Sequence, residues 1–147
     1  GIPLHVKCFL NAALNGTVIS SQPVHNLPPF IVVKQNQALL QLSSKDFSFI
    51  GETGVGNLYA LMAGFKISPN LVQSGAITVM CCLDDKSDKV EKLALAAGDL
   101  FDVQVERNLT LLTVRHYNDA IVEKLTAAKQ QVLSQKTPDT IQILLKE

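Results

Sequence analysis

The segment Gly51-Glu52-Thr53-Gly54-Val55-Gly56 comes nearer to a phosphate-holding loop than any other in this sequence. It fits neither GxGxxG nor GxxxxGK[ST], and no lysine follows at the distance such a loop needs. Gly54 and Gly56 are therefore read first as residues that let the backbone bend tightly into a helix. The N–H groups at that helix start can still hold a carboxylate, because helix N-termini attract anions. His5, His25 and His116 pair neither with one another nor with a cysteine at metal-ligand spacing, so no zinc site is expected. Asp84-Asp85 reads as a solvated helix cap, and Ser43 and Ser44 have no neighbouring base. No Ser-His-Asp arrangement can be drawn. Cys8, Cys81 and Cys82 are odd in number and lack disulfide-like spacing; the adjacent Cys81 and Cys82, inside an apolar strand, read as buried thiols, and a reducing, cytoplasmic setting fits. No catalytic residue and no metal ligand is identified, so this chain by itself is not expected to be an enzyme.

The composition excludes further classes. Thirteen basic and thirteen acidic side chains cancel, which argues against nucleic acid and gives no hint of an anionic membrane partner. No apolar run approaches the ~20 residues that cross a bilayer. Apolar residues make up 47% and charged residues 18%, enough for a sizeable core. The opening Gly1-Ile2-Pro3 lacks an initiator Met and a secretory signal, as an excised piece of a longer protein would.

The elements that must position these groups follow from periodicity. Leu4, Val6 and Cys8 alternate with His5 and Lys7, Asn15-Gly16 makes a turn, and Thr17-Val18-Ile19 returns as a strand. Ser20 to Pro29 holds three prolines and reads as a linker. Ala38 to Ser43 is an apolar strand. Val55, Leu58, Tyr59, Met62 and Phe65 form one helix face. Asn70 to Gln73 starts a short strand, and Ile77 to Leu83 is a strand buried on both faces. Asp85 or Ser87 would cap a helix carrying Val90, Leu93, Ala94 and Ala97, and Val103 and Val105 mark another strand. The order β-α-β-β-α-β is the ferredoxin-like unit. A second unit follows: a strand over 109–115, an Asn118-capped helix with Ile121, Leu125, Ala128 and Val132 on one face, a break at Thr137-Pro138-Asp139, and a strand with Ile141, Ile143 and Leu145. Cut short, this repeat would leave an unpaired strand edge.

A resemblance then becomes specific. Ile2-Pro3-Leu4-His5-Val6-Lys7, Asn11 and Gly16-Thr17-Val18-Ile19 are similar to the close of the catalytic domain of aspartate kinases, with Ala12 standing where that family has proline. Asn36 to Leu42 resembles the first strand of their regulatory half, notably in the monofunctional, lysine-inhibited kind. Ile67-Ser68-Pro69-Asn70-Leu71-Val72 resembles the strand after the first helix, and Gln104-Val105-Glu106 with 109–114 the junction into a second repeat. What the resemblance implies is an α+β architecture of tandem ferredoxin-like βαββαβ units (ACT domains). The divisions are 1–20 as the tail of an amino-acid kinase domain, 21–35 as linker, 36–107 as the first ACT unit and 108–147 as an incomplete second one.

The function implied is amino-acid sensing with allosteric feedback inhibition of an ATP-dependent aspartate kinase. ATP and Mg would belong to the kinase domain, with no cofactor in this piece, and a homodimer would form through the ACT units. Lysine is placed ahead of threonine as effector. The effector residues carried over from the lysine-sensing relatives are Phe47, Gly54, Val55, Ser68, Pro69, Asn70, Ser74 and Gly75. The relatives carry acids where Asn70 stands and near Ala76, the natural partners of a lysine ε-ammonium. The competing readings are an ACT scaffold that dimerises the enzyme without sensing anything, and an unrelated ferredoxin-like enzyme, since fold alone does not fix function.

Overall fold

The structure is a computed structural model that describes residues 2–21 and 27–146. His25 and the central part of the expected linker lie outside the described residues. The chain opens with a hairpin of β1 (Leu4–Val6) and β2 (Thr17–Ile19), Leu4 pairing with Ile19 and Val6 with Thr17. Gly16 closes the turn at φ +72°, where an added Cβ would stand 2.3 Å from the Val6 carbonyl oxygen, so only glycine fits. The expected half-burial of this hairpin is not met. Leu4 and Val6 are exposed, and Ile2, Phe9 and Leu10 almost completely so.

All other strands share one sheet. They are β3 (Phe30–Ser44), β4 (Leu71–Ser74), β5 (Thr78–Asp84), β6 (Phe101–Arg115), β7 (Gln130–Lys136) and β8 (Thr140–Lys146), in the order β4-β5-β3-β6-β8-β7. The helices are α1 (Glu52–Gly64), α2 (Lys89–Ala97) and α3 (Asp119–Thr126). Two 15-residue strands, β3 and β6, each run through both units. Each bends at an asparagine in the left-handed region, Asn36 (φ 54°) and Asn108 (φ 59°), and the β3–β6 register shifts between Lys34 and Leu39. Asparagine tolerates this conformation better than other non-glycine residues, and the extra residue of a bulge turns the strand.

Beyond the bend, the second half of β3 with α1, β4, β5, α2 and the first half of β6 makes the predicted β-α-β-β-α-β unit. The second unit is built differently from expectation. Phe30 pairs with Arg115 and Val33 with Leu112, so residues 30–34, assigned to the linker, form a strand beside the second half of β6. That half-strand pairs with β8 on its other side and has no unpaired edge. Both units thus have the same strand order, β4-β5-β3-β6 and β7-β8-β6-β3. The chain lays down a strand of the second unit before it makes the first.

Other differences are local. The helix expected to carry Ala128 and Val132 ends at Thr126. Ala128 (φ 62°) turns the chain, and Val132 lies in β7, paired antiparallel to β8. Ala-Ala-Lys-Gln-Gln favours helix intrinsically, but ladder hydrogen bonds and burial of Leu133 override that weak preference. The residue before α2 is Asp88 rather than Asp85 or Ser87, and its side chain makes no cap bond. Asn118 caps α3 as predicted, accepting from the Ile121 N–H at 2.9 Å.

Three apolar clusters hold the layers. Leu58 and Met62 of α1 and Val90, Leu93 and Ala97 of α2 cover Ala38, Leu40, Leu42, Val79, Cys81 and Leu83. Ile121, Val122 and Leu125 of α3 cover Leu112, Val114, Ile141, Ile143 and Leu145. Between them, Leu39, Leu71 and Cys82 of the first unit join Leu109, Leu111, Leu133 and Leu144 of the second. Leu71 and Leu133 lie on the strands at opposite ends of the sheet order, so the bent sheet folds over and its two halves pack back to back. This is why β5 is buried on both faces, as its unbroken apolar run predicts: Cys81 and Leu83 face the helices and Cys82 faces the seam.

Candidate functional site

Residues 44–51 connect β3 to α1 and are tied to the β4–β5 turn. The Ser44 N–H donates to the Ile77 carbonyl and the Ile50 N–H to the Ala76 carbonyl, each at 2.9 Å, while the Gly75 N–H reaches the Thr78 carbonyl at 2.8 Å. Within the loop, Asp46 accepts from the Ser44 hydroxyl (2.7 Å) and the Ser48 N–H (3.0 Å). The Ser48 and Ser44 hydroxyls and the Ser48 N–H favour the carboxylate so strongly that the Asp46 pKa falls to about 2. Gly51 precedes α1 with extended backbone and no side-chain cap, which leaves the first-turn N–H groups of the helix without a side-chain acceptor. A Cβ on Gly54 would stand 3.0 Å from Ile50 Cγ2, so glycine there lets the helix start press against Ile50.

The result is a cavity of about 510 Å³ lined by Ser44, Lys45, Asp46, Ser48 and Thr53, by Gly51 and Gly54, and by the rings of Phe49 and Phe101; the Lys45 ammonium is held by the Gly98 and Asp99 carbonyls. The arrangement can accommodate the two charged ends of an amino acid. The N–H groups of Glu52, Thr53 and Gly54, which have no intrahelical partner, suit an α-carboxylate. Asp46 suits an ammonium, and the three hydroxyls can orient polar groups.

The predicted effector residues fall into two groups. Gly54 lines the cavity, and Ser74 and Gly75 belong to the turn bonded to its loop. Phe47 does not line it: it sits at φ 60° with its side chain 82% exposed. The Val55 N–H, proposed as a carboxylate donor, already donates to the Gly51 carbonyl at 3.1 Å. Ser68, Pro69 and Asn70 sit at the other end of β4, where Leu71 pairs with Cys82 while Ser74 pairs with Val79. The three-residue offset between those ends is about 10 Å. Asn70 there belongs to a separate polar cluster with Lys34, Gln37 and Asp84. Sequence reasoning passed over Asp46 and Ser48, which read as ordinary loop residues, set Ser44 aside for want of a neighbouring base, and took Thr53 only as part of the glycine-containing loop. It also passed over Gln37, whose polar side chain at the head of an apolar strand was the available signal.

Among the described residues no group of three His, Cys, Asp or Glu is placed to hold a metal ion, and no helix is long and apolar enough to cross a membrane. Burial pushes the Cys81 and Cys82 thiols up to about 12, so neither is a nucleophile near neutral pH.

No protein-family model and no curated protein matches the sequence. Among solved structures, Escherichia coli aspartokinase III in complex with lysine and aspartate superposes with a TM-score of 0.70 at 19% identity, over 97% of this chain and 35% of that one. The aspartate kinase of Clostridium acetobutylicum does so with a TM-score of 0.78 at 14% identity, over 99% and 38%. A putative C-terminal regulatory domain of aspartate kinase from Porphyromonas gingivalis W83 matches with a TM-score of 0.66 at 12% identity, covering 81% of this chain and 86% of that one. The chain thus spans little more than a third of the length of the first two. Its α+β architecture of two joined ferredoxin-like units is the fold of the regulatory region of aspartate kinases.

Proposed function

We propose that the chain is the amino-acid-sensing regulatory region of an aspartate kinase, a cytoplasmic enzyme whose ATP- and Mg-dependent phosphorylation of aspartate is carried out by a catalytic domain lying outside this sequence. The observation that carries this reading is the cavity at the start of α1, where unpaired helix N–H groups stand beside the Asp46 carboxylate. An amino acid's two charged ends need that pairing. The fold shared with aspartate kinase regulatory regions supports the same reading. A homodimer would complete the site, because the two groups of predicted residues lie at opposite ends of β4 and a second copy could bring one against the other.

Lysine comes first by resemblance, and E. coli aspartokinase III, which this chain resembles in fold, was solved in complex with lysine and aspartate. The chemistry at Asn70 favours a different side chain. Its amide is already engaged by Lys34, Gln37 and Asp84, which leaves no ready partner for a second ammonium. A short uncharged side chain such as that of threonine suits the hydroxyl-lined cavity better. Calorimetry with lysine and threonine on the wild type and on Asp46→Asn tests this. Threonine should bind, with affinity weakened about tenfold or more by the loss of a charge-assisted hydrogen bond. Binding indifferent to Asp46→Asn would remove the cavity as the site.

The scaffold reading also has an observation behind it. The outer face of α1 presents Gly56, Ala60, Ala63 and Gly64 to solvent, beside a shallow apolar depression of about 670 Å³ formed with Leu61, Phe65 and Leu100. Small residues let helices approach closely, so this face fits a second copy whether or not an effector binds.

A further inference from the structure

The polar cluster at the seam has an organisation of its own. Gln37 is 1% exposed and fully used: its Nε2 donates to the Gln35 carbonyl (3.0 Å), the Asn36 carbonyl (3.3 Å) and Asp84 Oδ1 (3.1 Å). Its Oε1 accepts from Asn70 Nδ2 at 2.7 Å and from the Cys82 thiol at 3.5 Å. Asn70 Nδ2 also donates to Asp84 Oδ1 at 2.7 Å. These bonds fix which way the Asn70 amide points, and its oxygen faces outward beside the Asp84 carboxylate. Lys34 Nζ fills that position, 2.7 Å from Asn70 Oδ1 and 2.9 Å from Asp84 Oδ1. Lys86 takes the other oxygen, Asp84 Oδ2, at 3.1 Å.

The parts come from different units. Asn70, Gln37 and Asp84 belong to the first, whereas Lys34 lies on the strand segment 30–34, which pairs with the second half of β6. Only Gln35 separates Lys34 from the bend at Asn36, whose carbonyl also accepts from the Asp85 N–H at 2.9 Å. A carboxylate and a neutral oxygen, both held in place by a buried amide, offer charge and direction together, as a primary ammonium requires. An ordinary surface ion pair offers only charge.

We propose that Asn70, Gln37 and Asp84 form a binding site for a primary alkylammonium, filled in this chain by its own Lys34, so that the angle between the units is latched by a captured ammonium. The latch couples the first unit to the strand through which the chain enters from its N-terminal side. None of its residues lines the cavity at α1.

Cutting the tether tests it. Lys34→Ala in the 147-residue chain should melt about 2–4 °C below wild type, the shift expected for a loss of order 1 kcal/mol at this size. n-Propylammonium chloride should restore most of that loss in a saturable way. Tetramethylammonium chloride at the same ionic strength, lacking N–H donors, should restore none. Wild type and Lys86→Ala, in which the site stays filled, should respond to neither salt. Equal effects of the two salts on Lys34→Ala would overturn the proposal and leave a nonspecific ion pair. If Lys34→Ala does not fold, nitrogen-15 spectra of wild type decide. The Lys34 ammonium should exchange its protons more slowly than the other lysines, and exchange at the common rate would equally overturn it. Neither readout uses an amino-acid effector, so their failure would leave the sensing proposal standing, and the reverse.

Discussion

Asp84 is where residue-scale chemistry is most concentrated. Hydrogen bonds from Lys34 first, then from Asn70, outweigh its desolvation and hold its pKa far below the ordinary 3.8. A carboxyl whose pKa is depressed by folding contributes stability above its unfolded pKa and loses it as the pH falls toward the folded value. Wild type should therefore exceed Asp84→Asn in denaturant midpoint near neutral pH, and the gap should close progressively below about pH 4. Denaturant titrations of both proteins across that range check this, and a gap independent of pH would show that the carboxylate's charge is not what the network uses. None of this was visible in the sequence. Asp84-Asp85 reads as a helix cap because local pattern cannot show that Lys34 of β3 and Asn70, just before β4, converge on the same carboxylate. The same limit hid the cavity: Asp46 and Ser48 come to line it only because the Ile50 and Ser44 N–H groups pin the loop to the β4–β5 turn.

At the scale of elements, the sequence was most legible where one element carries one clear period. The apolar face of α1, with Leu58 and Met62, is buried as its spacing predicts, and α2 buries Val90, Leu93 and Ala97. Leu58→Ala should cost about 2–5 kcal/mol, because its side chain lies wholly within the first cluster and truncation leaves a cavity. A chemical denaturation midpoint unchanged by this substitution would mean that the helix packs elsewhere. Legibility failed where pairing partners are remote. Residues 30–34 follow a proline-rich stretch and have no local sign that they will pair with 111–115, so they read as linker. The helix-prone run after Thr126 failed for the opposite reason: strong local preference pointed one way, and the β7–β8 ladder prevailed.

For the whole molecule, the two bent strands explain how sensing in one unit could be felt elsewhere. β3 and β6 cross the seam together, Asn36 and Asn108 bend both, and the middle cluster packs the half-sheets against each other. A ligand at the start of α1 would therefore bear on a unit continuous with the entering strand. The exposed Phe30, Ile31, Val32 and Val33 on that strand, and the exposed apolar hairpin before it, are surfaces on which neighbouring parts of an enzyme could pack. The central claim is that this assembly binds an amino acid. Its most direct test is thermal melting of the 147-residue chain against each of the twenty amino acids at neutral pH. At least one, threonine before lysine, should raise the melting temperature in a saturable way, since a ligand that binds only the folded state stabilises it by mass action. A melting temperature unmoved by all twenty, in a protein that still forms a dimer, would contradict sensing and leave the scaffold reading in its place.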